Sequence, residues 1–244
     1  MIEVKQLSEH PQFAEAVELQ RQIWGFEDVE LLPVRLFVVA NKVGGHSFGA
    51  YDGDRMIGFC LAIPGLKPGG AYYLHSHMLG VLPQYRDHGV GRLLKLAQRT
   101  EALERHIPLI EWTFDPLEIK NAFFNMERLG AVVRRYVLNQ YGTTTSHLHG
   151  GLPTDRCIAE WWIASPRADA IINRQPFDRA PIEVRIAVPS DIAEIRHNDP
   201  KRAREIQQRV SDQFMDAFSK GLAVIGFERS AEAGTYLLGK WESN

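Results

Sequence analysis

The string Val81-Leu-Pro83-Gln-Tyr-Arg86-Asp-His-Gly89-Val-Gly91 constrains this chain most, since it joins an apolar strand straight to a long, convincing helical run. Tyr72–Leu82 reads as the strand. Val90–His106 reads as the helix, with Leu93, Leu94, Leu96, Ala97, Thr100 and Leu103 turned to a core. Leu109–Phe114 then has the short, bulky pattern of a strand covered on both faces. Asn121–Leu129, closed by Gly130, reads as a second helix and Ala131–Gln140 as a further strand. Strand, helix, strand, helix, strand over Tyr72–Gln140 predicts parallel pairing in a central α/β sheet.

The flanks are different in kind. Upstream come a strand at Ile2–Leu7, a helix capped by Ser8 and stopped at Gly25, and a helix that Pro33 begins and Gly44-Gly45 ends. Ser47–Tyr51 and Met56–Ile63 form a hairpin over Asp52-Gly53-Asp54-Arg55, before the breaker run Pro64–Gly70. Downstream, a loop at Thr143–Pro153 leads to a strand at Ile158–Ile163, and Ser165–Pro181 has the composition of a linker. The last quarter repeats the order of residues 1–63: strand Ile182–Val188, two helices, then a hairpin of Leu222–Phe227 and Thr235–Trp241. Ile182-Glu-Val-Arg also echoes Ile2-Glu-Val-Lys. A domain at 1–165 and an appendage at 180–244 are expected, the latter either a degenerate half-repeat or an unrelated α+β piece.

Gly89 and Gly91 let backbone come close to a ligand, and the N–H groups of a helix start have no helical partners. With the positive end of the helix dipole they suit a diphosphate, and Arg86 and Arg92 can add charge-assisted contacts. The third glycine of a dinucleotide fingerprint is missing. The longer pattern Val81-x-Pro83-x-x-Arg86-x-x-Gly89-x-Gly91, together with the order of elements before it, resembles motif A of the GNAT superfamily of N-acyltransferases. The likeness spans roughly residues 1–141. It implies a GNAT fold, a mixed, centrally splayed sheet flanked by helices, with a small C-terminal α+β appendage. It also implies acetyl-CoA or another acyl-CoA, such as succinyl-CoA, as cosubstrate. Leu79 and Val81 would line the pantetheine arm, and a backbone N–H near Leu79 would polarise the thioester carbonyl. Arg86, Asp87, His88, Gly89, Val90, Gly91 and Arg92 would hold the pyrophosphate, and Asn121 is counted with the CoA-binding residues. His75–Val81, Trp112–Leu117, Asn139–Gly142 and Gly151–Arg156 together resemble a poorly characterised bacterial GNAT subgroup.

Amine attack on a thioester needs a deprotonated amine, since an alkylammonium titrates near ~10.4. Alternation places His75 and His77 on one strand face, where either can serve as base or simply pack. Glu111, inside a bulky strand, either faces the cleft or pairs with a cation. Met126 stands where many GNAT enzymes carry a tyrosine acid. Tyr141, Tyr136 or water must then protonate the thiolate, and Tyr141 is preferred. Arg156 either binds a carboxylate of acceptor or acyl group or pairs with Asp155 or Glu160. His147-x-His149 lacks further ligands at metal spacing, so no metal is expected.

Composition excludes little else. A net charge of −2 gives no long-range attraction to nucleic acid or anionic membrane, and no partner of either kind is expected. Two cysteines, far apart, fit a reducing cytoplasm, and the first residues carry no apolar leader pattern. The activity expected is N-acyl transfer to a small amine or amino acid, self-association being left open. The alternatives are O-acyl transfer and a non-catalytic acyl-CoA sensor.

Overall fold

The computed structural model describes residues 1–142 and 152–241. They form two compact units, Met1–Glu111 and the described residues from Trp112 onward.

The first unit runs β1 (Ile2–Gln6), α1 (His10–Trp24), α2 (Val34–Lys42), β2 (His46–Asp52), β3 (Arg55–Leu66), β4 (Tyr72–Val81), α3 (Val90–Glu104) and the start of β5 (Leu109–Phe114). Strands β1 to β4 pair antiparallel in chain order. The crossover through α3 returns β5 parallel to β4, as a strand–helix–strand unit must. The sheet is therefore mixed. Phe37 stacks on Phe13 at 5.9 Å and packs tilted against Phe59 at 6.0 Å, and so ties α1 and α2 to β3. Leu94 and Val90 bury the inner stripe of α3. Gly25, at φ 66°, ends α1 by returning its N–H to Arg21. Its start is capped differently from the reading above: the Gln12 side chain, not Ser8, accepts the N–H groups of Ser8 and Glu9.

Strand β3 also departs from expectation, continuing through Pro64 and Gly65 to Leu66. Its pairing with β2 stops at Ala62↔His46, so among the described residues no strand flanks Pro64 on that side, and its missing N–H disrupts no ladder there.

The second unit holds the end of β5, then α4 (Ile119–Phe123) and a π-helical turn, Phe124–Leu129, closed by Gly130 at φ 79°. It continues with β6 (Val132–Val137), β7 (Arg156–Trp162), α5 (Pro166–Ile172), β8 (Val184–Pro189), α6 (Ile192–Asn198), α7 (Pro200–Ser219), β9 (Leu222–Arg229) and β10 (Ala233–Lys240). Its strand order is β7-β6-β9-β10-β8. Strand β6 pairs antiparallel with β7 and β9, so among the described residues the parallel pairing expected across Tyr72–Gln140 is present between β4 and β5 alone. Helix α5 occupies the expected linker: Ser165 caps it by accepting from Ala168, with Pro166 at the first helical position. Phe214 of α7 packs between Tyr136 and Tyr236, with ring centroids 5.4 and 4.9 Å away. The elements from β8 to β10 repeat the order of β1 to β3. Their pairing differs: β8 lies beside β10, whereas β1 lies beside β2. No helix among the described residues is long and apolar enough to cross a membrane.

Candidate functional site

The turn between β4 and α3 is built by backbone. A 3-10 turn at Pro83–Tyr85 ends the strand, and Asp87 (φ 62°) and Gly89 (φ 82°) then take left-handed conformations that swing the chain into α3. Tyr85 donates to Asp52, the Arg86 Nε donates to the Val81 carbonyl at 3.3 Å, and His88 Nδ1 lies 2.7 Å from the Arg86 carbonyl. No side chain caps α3 at Gly89. A Cβ on Gly89 would meet nothing within 4 Å, and one on Gly91 only the Leu79 side chain at 3.6 Å. First-turn N–H groups therefore face a space that glycine keeps open, at the positive end of a long helix. Arg86, Asp87 and His88 are exposed around it. A diphosphate fits this donor set.

Strand β4 carries a bulge next to the turn. Leu61 of β3 pairs with Met78 but Ala62 pairs with Ser76, so His77 is the extra residue. A bulge re-aims backbone N–H groups and the side chains beside them. On the other edge of β4, the register with β5 is recorded only at Leu74↔Ile110 and His75↔Glu111.

Three predicted residues come together on one face here. The rings of His75 and His77 lie 5.9 Å apart, and Glu111 is the register partner of His75. Burial, with smaller effects from His77, Lys95 and Lys67, lowers His75 to about 4. His77, an exposed residue, is shifted down by partial desolvation. Both imidazoles are thus neutral at neutral pH and can accept a proton, although His75 holds one weakly. Glu111 is buried and lies 2.5 Å from Lys67 Nζ, which itself sits 4.6 Å over the Tyr73 ring. Of the two readings for Glu111, cation pairing is the contact present.

The opposite face of β4 holds a group that sequence reasoning missed. Lys95 of α3 is 3% exposed and donates to Ser76 Oγ at 2.8 Å, and Ser76 donates to Gln98 Oε1 at 3.0 Å. Burial brings the Lys95 amine down to about 7. Lys95 lies with Leu94, Gln98 and Ala102 on the buried stripe of the helix, a placement that the helix's own sequence does not announce.

The other predicted residues belong to the second unit. The Tyr141 hydroxyl lies 2.8 Å from Thr113 Oγ1, and the Arg156 guanidinium sits 5.4 Å over the Tyr141 ring. Arg156 is buried and donates to the Asp155 carbonyl. Its expected partner Glu160 is held by Arg134 and Arg135 instead. Tyr136 donates to the Asp155 carboxylate at 3.0 Å, and burial, ahead of Cys157 and Asp155, pushes its phenol far above the usual range. Met126 is fully buried in the π-helical turn, and Asn121 is exposed on α4. His147 and His149 lie outside the described residues. Among the described residues no group of three or more His, Cys, Asp or Glu could hold a metal.

Comparison with known families matches residues 12–130 to the Acetyltransferase (GNAT) family. No curated protein matches the chain. Among solved structures, the ribosomal-protein-S18-alanine N-acetyltransferase from Escherichia coli superposes with a TM-score of 0.54 at 17% identity, covering 68% of this chain and 96% of that one. Arabidopsis thaliana NAA60, solved with a bisubstrate analogue, gives 0.54 at 15% identity over 66% and 98%. A probable acetyltransferase from Staphylococcus epidermidis gives 0.53 at 15% over 66% and 98%. At these identities the likeness is one of fold.

Proposed function

From the premise that this chain carries a GNAT-family acetyltransferase domain at residues 12–130, we propose that it transfers an acyl group, acetyl by default, from CoA to a small amine or amino acid. The observation that carries this reading is the uncapped turn Arg86–Gly91, where two glycines leave the first N–H groups of α3 open to a diphosphate. With the pyrophosphate held there, the pantetheine arm would run along Val81 and Leu79 toward the bulge at His77. The bulge N–H groups would receive the carbonyl oxygen as it becomes an oxyanion.

The amine would attack the thioester carbon, forming the C–N bond while the carbonyl π pair moves to oxygen. Collapse breaks the C–S bond and releases thiolate. The proton lost by nitrogen passes to His77, directly or through water, with His75 and Glu111 as the alternative acceptors. Tyr141 is the proposed donor to the thiolate. A thiol with a pKa near ~8.5 leaves without help if need be, so the buried Met126 does not forbid catalysis. Asn121 is kept as a CoA contact. Arg156 is kept as the anchor for an acceptor or acyl carboxylate, its guanidinium held flat over Tyr141.

The test is thiol release from acetyl-CoA and succinyl-CoA over a panel of small amines, amino acids and hydroxyl-only analogues. Release with amines alone supports the proposal, and release with hydroxyls alone replaces N-transfer by O-transfer. Tight CoA binding without release across the panel would make the protein a sensor.

A further inference from the structure

Lys95 has no part in the reaction just described, yet it is buried more deeply than any catalytic candidate in its unit. It leaves the inner stripe of α3 one turn after Gly91 and ends on Ser76 Oγ, with Gln98 accepting from the same hydroxyl. A leucine or methionine would fill this volume without burying an amine, since lysine is almost never fully buried unless its amine is paired. What lysine adds over an apolar residue is direction. An apolar side chain makes contacts without direction, while a hydrogen bond picks out one named hydroxyl.

Ser76 is the place on β4 where sliding would matter most. It is the last residue in register with β3 before the extra residue His77, and it is flanked by the two histidines. Moving the bulge by one residue, to Ser76, would pair His77 in place of Ser76 with Ala62, and so re-aim the His77 side chain and the backbone N–H groups beside it. The residues around the bulge give weak guidance of their own, being a mixture of polar and apolar on both faces. The α3 side supplies what they lack: a hydroxyl held between an amine and an amide on a rigid helix.

We propose that Lys95, acting through Ser76, is a positioning residue that locks the β4 bulge at His77, and so fixes the backbone N–H groups and the histidine pair used in acyl transfer. The proposal rests on the acyltransferase reading for its kinetic consequence but not for its structural one. Buried polar groups that set register are the best-attested use of such otherwise costly contacts.

The variants are Lys95→Met and Ser76→Ala, singly and together. Lys95→Met should melt no lower than the parent and bind CoA within about twofold, since the phosphate turn is untouched. Its kcat should fall by about 100-fold, the effect of a misplacement on the order of 1 Å, while KM for acetyl-CoA holds. Ser76→Ala should show the same loss, and the double variant no more than either alone, because both break one link. In nitrogen-resolved amide spectra, the His77, Met78 and Leu79 signals should shift or double in either variant. Unmoved signals at those three amides would overturn the proposal, as would unchanged kcat or losses that multiply in the double variant. Should Lys95→Met fail to fold, Ser76→Ala, which removes a single hydroxyl, decides by the same readings. Should the parent turn over no amine, the three amide signals decide alone, and only the acyltransferase reading falls.

Discussion

Replacing Gly91 by alanine separates what the fold needs from what a ligand needs. Gly91 lies in the first turn of α3, outside the left-handed backbone region, and an added Cβ would meet only Leu79 at 3.6 Å, an ordinary contact. Alanine should therefore be accepted, and in a helix it is favoured over glycine by roughly 0.5–1 kcal/mol. For a chain of this size that is a rise in Tm of about 1–4 °C. A phosphate oxygen, however, must approach first-turn N–H groups to about 2.9 Å, and a methyl stands beside that path. Losing one or two hydrogen bonds to a charged group costs about 1.5–3 kcal/mol each. Since 1.4 kcal/mol is about tenfold, CoA affinity should fall by roughly 10-fold for one weak bond and by up to about 20,000-fold for two strong ones. Gly89 makes a poorer test, because at φ 82° any L side chain strains the backbone itself. The assay is calorimetric titration with CoA, set against pantetheine, which lacks the pyrophosphate and should bind parent and variant alike. A folded Gly91→Ala protein with raised Tm and undiminished CoA affinity would refute the site assignment.

Other outcomes follow from the same contacts. His77→Gln should lower kcat/KM by at least about tenfold and remove the acidic limb of its pH profile, where a neutral imidazole is lost to protonation. His75→Gln should do less, because its imidazole at about 4 is already a weak base; if His75→Gln, His77→Gln and Glu111→Gln all keep the parent profile, the base lies elsewhere. Tyr141→Phe should lower kcat by about 10-fold or more with little change in a urea melt, given the exposed ring. Tyr136→Phe should spare kcat and cost about 1–2 kcal/mol in the same melt, by taking a donor from Asp155. Burial raises the Glu101 carboxyl, but hydrogen bonds from His46 and Arg105 outweigh it and leave the pKa below its ordinary value. Its contribution is present above the unfolded carboxylate pKa and lost as pH falls through the folded one. Glu101→Gln should therefore weaken the protein at neutral pH and flatten its acid-side loss of stability, read from melts between about pH 3 and 6.

The parts of the fold that could be read early are those specified by nearby residues. Gly25, Gly53 and Gly130 punctuate elements through their own positive φ, and the α3 crossover follows from strand and helix lengths. Errors arose where a distant partner decides. Pro64 breaks a strand paired on both sides but not one whose outer neighbour has already ended, and no local pattern announces where β2 stops. Likewise β6 has the spacing of a parallel neighbour for β5, yet β7 and β9 take both its edges. The helix at Pro166–Ile172 is a different case, since Ser165, Pro166 and Asp169 form a readable cap and first turn inside a segment with the composition of a linker.

The candidate site divides along the same line. The turn Arg86–Gly91 is legible because its geometry is written in consecutive residues, with Gly89 left-handed just before a long helix. Alternation likewise places His75 and His77 on one face, and their rings lie together. A bulge is not a property of one strand, however. It is a mismatch of count between two, visible only once Leu61 is seen opposite Met78 and Ala62 opposite Ser76. The same holds for Lys95. On a helix read alone a lysine is assigned to water, because a long flexible stem can carry its charge outward. Only the strand beneath shows that this one points inward, onto the hydroxyl between the two histidines. On the proposed reading, the residues of attack are written locally, while their alignment would rest on a contact between residues 19 positions apart.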